Sequence, residues 1–501
     1  MKFIPNIKCL LSVFAVLFMF ISPRQARAEW NDSIRYHAEL NMNFAGGDYT
    51  PFWMVSGKYG LSSIEKNNGY LRLGAFKDMD KTRRFTWGAG VDLAVAARFS
   101  SVFVVQQLYA EVKYRCLQAM IGQKEIPGPM SEPGLSSGNL LYGNNARPIP
   151  QFRVGIFDYA DVWGTKGFLG VKGYIAYGAF TDNRWIKSWV NPNNGGHYAL
   201  STLYHSKALF LRAGNTRKFP LEFEIGLEMG TQFGGRSYID GEWFHFPTKF
   251  KNWAKAFIPK GSSYDGALDS ERLNVEGNFV GTWNFALAWK PADKDWSLKL
   301  YYEHFFEDHS MLWIQYPWKD GLWGINAKLP CRWVTDATVE FIYMKDQSSA
   351  VYWDKTPEIP TQVSGRDNYY NHGLYNGWQN WGMNIGNPMI ISPIYNSDHT
   401  MMFKANRMWG LFAGIKGQPT GEISYRLIGS AQKNWGTYGQ PFDCVRRTVN
   451  LYAEIGWQPE RLKGWKGEAA IAYDGGSLVG RNIGLAIRIS KTGWLFGGKK
   501  H

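Results

Sequence analysis

Two sets of residues in this sequence have the types and spacing to do chemistry, and they point to different kinds of it. The first set is hydroxyl, acid and imidazole. Gly134-Leu135-Ser136-Ser137-Gly138 has the G-x-S-x-G spacing of an esterase nucleophile. Glu303-His304 and Glu307-Asp308-His309 place carboxylates beside imidazoles, the groups of a general base or a metal site. Glu222, Glu224 and Glu228 occupy alternate positions, in steps of about 7 Å along one face of a strand, which invites comparison with paired glycosidase acids. The context fails each time. Ser136 lies in a Pro/Gly/Ser-rich loop and not between a strand and a helix. The acid–histidine pairs fall at a strand end, where a solvated terminus or an internal hydrogen-bond network accounts for them. Lysines and arginines on the same face are the expected partners of the three glutamates. The sequence therefore argues against an enzyme, and it gives no sign of a metal or a cofactor.

The second set is aromatic rings beside planar polar groups, the combination that holds a sugar: the ring packs on its apolar face while Asp, Asn and Arg bond its hydroxyls. Asp367, Asn368, Tyr369, Tyr370, Asn371 and His372 form one such cluster, followed by Trp378 and Trp381. Arg184, Trp185, Lys187, Trp189 and Asn191 form a second. Arg184, Lys187 and Arg366 suit the carboxylates of an acidic glycan, since a guanidinium can take a carboxylate through two bonds. Two other readings stay open. The rings can pack loop against loop, and the basic groups can meet lipopolysaccharide phosphates.

The elements that must carry these clusters follow a two-residue period. Between Ser33 and Phe44, Ile34, Tyr36, Ala38, Leu40, Met42 and Phe44 alternate with Arg35, His37, Glu39, Asn41 and Asn43. Leu221, Phe223, Ile225, Leu227 and Met229 alternate with Glu222, Glu224 and Glu228. The same pattern recurs from Phe85 to Val95, Trp283 to Trp289, Val449 to Trp457 and Ile483 to Ile489. Such strands have one apolar and one polar face. At about 9–13 residues they are longer than ordinary strands and long enough to cross a bilayer at a tilt. About 18 are predicted, beginning near residues 33, 69, 85, 103, 117, 151, 168, 204, 221, 281, 296, 322, 334, 409, 422, 448, 465 and 482.

Connection lengths alternate as well. Short turns are expected at Lys77–Arg84, Tyr114–Cys116, Asn215–Pro220, Lys290–Asp295, Gln418–Gly421 and Pro459–Gly464. Long loops are expected at Gly46–Asn68, Gly122–Pro150, Thr181–Leu203, Gly234–Phe279 and Asp346–Arg407, with one short exception near Arg98–Ser101. A transmembrane antiparallel β-barrel segregates its loops in this way, short on the periplasmic side and long on the extracellular side. The fold class is thus all-β, one barrel of about 18 strands over residues 29–501. Lys249–Phe257, with Phe250, Trp253 and Phe257 at helical spacing, is expected to form a short helix in an outer loop.

The compartment follows from the first 28 residues. Basic Lys2 and Lys8, an apolar stretch from Leu10 to Ile21 and the Ala26-Arg27-Ala28 triplet make a secretory signal peptide, with Glu29 the expected mature terminus. The context of Cys9 is not that of a lipoprotein. Charged residues make up 20% of the chain, which alone would suit a soluble protein, yet aromatic residues reach 16%, with 23 Trp, 27 Tyr and 31 Phe. Aromatic girdles at the two membrane interfaces are one use for so many rings. Net charge is +14, and the signal segment holds four of those charges and no acid. A basic balance favours an acidic partner, and export makes nucleic acid an unsuitable one. Cys116, Cys331 and Cys444 form no disulfide framework; Cys116 and Cys331 fall on the same side of the barrel and leave a bridge open.

The loop motifs resemble a known family. Asp367-Asn368-Tyr369-Tyr370-Asn371 followed by Gly382-Met383-Asn384-Ile385-Gly386-Asn387-Pro388 looks like a signature of the Wzi-type capsule-assembly proteins. Leu203–Arg212, Phe223–Gln232 and Asn274–Asn278 leading into Trp283 fit the same family in order and spacing. The resemblance implies an 18-stranded outer-membrane barrel of a Gram-negative bacterium. It would be integral and monomeric, hold capsular polysaccharide at the cell surface in a lectin-like way, and touch outer-membrane lipid and lipopolysaccharide. The family's periplasmic helical bundle has no counterpart in this sequence. The alternative on the same fold is a porin or polysaccharide export channel, which needs an open lumen.

Overall fold

The computed structural model describes residues 34–130, 132, 134–191, 197–257, 277–307, 319–347 and 367–496. The signal segment, Asp308, His309 and Arg366 lie outside them. Eighteen strands pair antiparallel into one sheet. They are β1 (Ile34–Gly47), β2 (Asn68–Lys77), β3 (Phe85–Ala97), β4 (Phe103–Tyr114), β5 (Leu117–Gln123) and β6 (Gln151–Asp161). Next come β7 (Leu169–Ala179), β8 (Leu203–Ala213), β9 (Leu221–Phe233), β10 (Asn278–Trp289), β11 (Ser297–Phe306) and β12 (Gly321–Lys328). The rest are β13 (Asp336–Tyr343), β14 (Met408–Gly417), β15 (Ile423–Gly436), β16 (Pro441–Trp457), β17 (Trp465–Gly476) and β18 (Asn482–Phe496). The sheet closes because β1 pairs with β18 as well as β2; Leu40 faces Ile489 on one side and Leu71 on the other. Closure leaves no unpaired edge.

Alternation decides which side chain faces where. Leu40, Phe44, Leu451, Ile455, Ile483, Leu485 and Ile489 are all exposed on the outer wall. Their neighbours Asn41, Asn43, Asn450 and Asp474 are buried inside. An apolar surface of this extent is stable only against another apolar medium. At one rim it ends in exposed rings, among them Phe85, Tyr114, Phe219, Trp333, Trp465 and Trp494. From Ile483 to Trp494, a strand rising about 3.3 Å per residue and tilted by about 40° covers about 28 Å, close to an outer-membrane apolar band.

Connections segregate by length. Every link at the girdled rim is short, from residues 115–116 to 78–84. At the other rim stand the long links 48–67, 124–150, 180–202, 234–277 and 344–407. Links 98–102, 437–440 and 477–481 on that rim are short as well, so the exception near Arg98 has company. β16 begins at Pro441, ahead of the expected start near 448. Its first residues extend beyond the band, where both faces are exposed and alternation has no work to do.

Among the described residues three short α-helices, α1 (Phe52–Val55), α2 (Asn183–Trp189) and α3 (Phe250–Phe257), and a 3-10 turn at Pro393–Tyr395 interrupt the long links. The expected helix is α3. It lies on the outside of the wall, with Trp253 against Tyr177 of β7 and Phe257 against His205 of β8. Cys116, Cys331 and Cys444 are free and exposed, so the bridge left open between the first two is not made.

Charge placed on the outer wall should be costly. Ile471, at the middle of β17 and 61% exposed, is expected to destabilise the bilayer-embedded barrel by about 2–4 kcal/mol when replaced by Arg. Reversible unfolding from lipid vesicles measures this, with Ala470→Ser on the inner face as the near-neutral control.

Candidate functional site

The inner wall carries buried carboxylates, and the long loops fold inward to meet them. Glu340 of β13 accepts the Ser137 backbone N–H at 2.7 Å, Ser136 Oγ at 2.6 Å, Tyr301 Oη at 2.5 Å and the Ser137 hydroxyl. Glu303 of β11 accepts the Leu140 N–H at 2.7 Å and the Asn139 amide. A buried carboxyl group needs such partners, because one left unsatisfied carries its full desolvation cost. Further round the wall, Asp474 accepts the Phe52 N–H at 2.8 Å and Ser430 takes Trp53 Nε1 at 3.0 Å; all of α1 is buried.

The loops then bind one another. Gly143 N–H donates to the Ile385 carbonyl at 2.8 Å. Asn145 Nδ2 donates to the Asn384 carbonyl at 3.1 Å, and Asn387 Nδ2 to Ser137 Oγ at 2.9 Å. Trp378 Nε1 reaches the Leu141 carbonyl at 2.9 Å, and Tyr370 Oη the Leu140 carbonyl at 2.6 Å. The backbones cross so closely that a Cβ on Gly386 would collide with the Leu140 carbonyl oxygen. The lumen is filled by a plug made from segments 48–67, 124–150 and 367–407.

This architecture sorts the residues singled out in the sequence. Tyr369, Tyr370 and Trp378 are fully buried in the plug, where their rings pack against protein and no sugar reaches them. Asn371 pins this turn to Phe403 through two bonds of 2.9 and 2.8 Å, and Asn368 receives Asn406 Nδ2 at 2.6 Å. Asp367 N–H donates to the Gln347 carbonyl. The first cluster is therefore loop packing at its rings, with Asp367, Asn368, Asn371 and His372 half-buried around it. Ser136 is an anchor on Glu340 and sits on no nucleophile elbow. Glu303 and His304 cannot form a pair, because adjacent strand residues face opposite sides: Glu303 points into the lumen, and His304 shares the outer face with Trp283. Glu307 accepts the Tyr370 N–H. Glu222 pairs with Lys290 at 2.7 Å and Glu224 with Lys172 at 3.7 Å, as lumen carboxylates were expected to do, whereas Glu228 takes Tyr174 Oη at 2.8 Å.

The second cluster has a different fate. Trp185 and Trp189 stack at 5.2 Å on α2, and Trp189 stacks on His399 at 5.0 Å. Trp381 joins them, 6.4 Å from Trp185, with the Arg147 guanidinium over its ring at 4.1 Å. Trp185 is buried beneath, against the backbone of Gly382, while Trp189 and Trp381 are half-buried and His399, Arg184 and Lys187 are exposed. The structure thus assembles a ring platform at the long-loop rim. One member, Trp381, comes from the stretch that otherwise forms the plug. Its backbone is left-handed at φ 54°, unusual for a bulky residue. Asp182 holds it by accepting the Trp381 N–H at 3.2 Å. Burial pushes the Asp182 carboxyl up to about 6 against the lowering effect of that bond. His399 was missed in the sequence, where a lone histidine in a loop carries no periodic signal. The protruding strands Tyr198–Leu200, Arg236–Ile239 and Glu242–His245 were missed too, and they add Tyr198, Tyr238 and Trp243 in mutual ring contact.

No family model and no curated protein matches the sequence. Solved structures do. Wzi of Escherichia coli, an outer-membrane protein involved in group 1 capsule assembly and a carbohydrate-binding β-barrel, aligns with a TM-score of 0.53 at 12% identity, over 93% of this chain and 86% of that one. OccK5 (OpdH) of Pseudomonas aeruginosa gives 0.46 at 10% identity, over 92% and 98%, and OccAB4 of Acinetobacter baumannii 0.45 at 8%, over 93% and 100%. At these identities the likeness is one of fold.

Two outcomes follow. Gly386→Val should lever the plug segments apart and raise single-channel conductance in planar bilayers well above the low level expected of the native chain. Asp182, whose folded pKa is raised above its ordinary value of about 3.9, should support the platform best below that value and lose this contribution as pH rises through about 6. Asp182→Asn should therefore gain unfolding midpoint relative to the native chain at pH 8, and gain less or none at pH 4.

Proposed function

We propose that this chain is an integral outer-membrane protein of a Gram-negative bacterium that holds polysaccharide, acidic capsular polysaccharide foremost, at the cell surface. The observation that carries the reading is the joint one of a filled lumen and a ring platform on the rim beyond it. Filled by hydrogen-bonded loops, the barrel offers no wide path for solutes, which weighs against the porin and export-channel alternative. The platform, by contrast, offers the outer face of exposed His399 and the half-buried edges of Trp189 and Trp381, with Arg184 and Lys187 beside them for carboxylates. The carbohydrate-binding capsule protein of the same fold supports the reading further. In this orientation the girdled rim faces the periplasm. Among the sequence candidates, Arg184, Trp189 and Trp381 are the proposed sugar contacts and Trp185 their support. Asp367, Asn368 and Asn371 hold the underlying turn. Recognition of the glycan involves binding alone, with no bond made or broken.

Purified capsular polysaccharide from the source strain tests this directly. Trp189→Ala and Trp381→Ala should each weaken binding about tenfold or more, as loss of a central aromatic contact does at other interfaces. Deleting the gene should shift capsule from cell-bound to released without lowering its synthesis. An unchanged cell-bound fraction, or binding indifferent to both tryptophans, contradicts the reading.

A further inference from the structure

Beneath the plug, on the side of the short turns, the lumen holds a cavity of about 460 Å³. Its ceiling is plug residues 142–149 and Ile385, and its walls are the inner faces of β4 to β9. The mouth is marked by Lys81 and Asp158, both more than half exposed and paired at 2.9 Å. The volume lies within the range that encloses small organic ligands.

Its chemistry is uneven. Lys124 is bonded to Glu111 at 2.7 Å and Lys172 lies 3.7 Å from Glu224, so these cations are neutralised. Arg147 gives one N–H to Ser100 Oγ and its guanidinium face to Trp381, although its Nε is buried without a hydrogen-bond partner. Arg153 of β6 differs from the two lysines: among the described residues it makes no ion pair. Its guanidinium carbon lies over Tyr174, 3.4 Å from the ring centroid, the distance of a stacked pair, with Phe157 at 5.0 Å. Stacking engages the flat face of a guanidinium and leaves its N–H donors unspent, in the plane. The Arg153 Nε atom is buried and has no hydrogen-bond partner. A buried donor left so is costly unless a ligand completes it. Tyr142, Tyr204 and Phe210 add rings beyond Tyr174, and the buried Glu228, bonded to Tyr174 Oη at 2.8 Å, lines the space as well.

We propose that this cavity is a second binding site, open to the short-turn rim, for a sugar-sized ligand bearing a carboxylate. The carboxylate takes the in-plane donors of Arg153 through two parallel bonds, and the ligand's ring lies against the aromatic wall. The plug ends the cavity, so the site receives its ligand from one side and is no part of a through-channel. It is also separate from the rim platform: a free sugar acid enters it, whereas a polymer held outside the opposite rim does not reach it, so the two claims fail independently.

Calorimetric titration of the intact mature barrel in detergent with sodium glucuronate, and in parallel with glucose, tests the site. The native chain should bind glucuronate at least tenfold more tightly than glucose. Arg153→Met, checked for native folding by its heat-modifiable mobility, should lose at least tenfold in glucuronate affinity, and Arg153→Lys should recover part of it. Ala146→Phe, which fills the cavity from the plug side and keeps Arg153, should also lose binding. No binding by the native chain up to about 10 mM, equal binding of glucose, or full binding by either folded variant overturns the proposal.

Discussion

A closed barrel with a polar inner wall must satisfy buried carboxylates, and this requirement organises the molecule. Glu303 and Glu340 stand on neighbouring parts of the wall and are buried. Between them they accept two backbone N–H groups, an amide and three hydroxyls, all but the Tyr301 hydroxyl from loop residues 136–140. Once this loop is fixed, its carbonyls at Leu140 and Leu141 receive Tyr370 and Trp378. The plug is thus built in an order of dependence: wall carboxylates, then the 136–145 segment, then the 369–390 segment. The platform at the rim is the last layer. Trp381 sits only three residues from the buried Trp378, so its position inherits the rigidity of the plug.

The glycan binding proposed for this chain draws on the same dependence. Sugar contacts are individually weak, and a platform of rings binds well only if the rings are already placed. Here the stack of Trp185, Trp189 and His399 is fixed from below, by Gly382 and by the Asp182 bond to Trp381. The plug serves a second end, because it bounds a cavity on the side of the short turns. Arg153 lines that cavity, where Lys124 and Lys172 have carboxylates at 2.7 and 3.7 Å and Arg153, among the described residues, has none within ion-pair distance.

Much of the fold was legible in the sequence because a membrane barrel obeys a local rule. The outer face must be apolar at every second position for the whole width of the band, so Leu40 to Phe44 or Ile483 to Ile489 declare their face without reference to the rest of the chain. Where the strand leaves the band the rule lapses, as at Pro441–Arg447, and the reading lapsed with it. The loops obey no period. Tyr369 and Tyr370 look like surface groups beside Asp and Asn. Their burial depends on Leu140 and Glu307, far away in sequence, and on the narrow passage at Gly143 and Gly386. Clustering in sequence was therefore a poor guide: the 367–372 group proved to be packing, while Trp381 joined a platform built on α2. Adjacent Glu303 and His304 show the opposite error, since neighbours along a strand are divided by the wall.

The central claim is that inward-folded loops, held by wall carboxylates, fill the lumen. Hydrogen exchange of the native barrel in lipid nanodiscs measures it most directly. Backbone amides of Ser137, Leu140, Gly143 and Ile385 should exchange as slowly as those of the strands, and Glu303→Gln with Glu340→Gln should speed the first three more than any strand amide. Fast exchange of all four in the native chain would contradict the account.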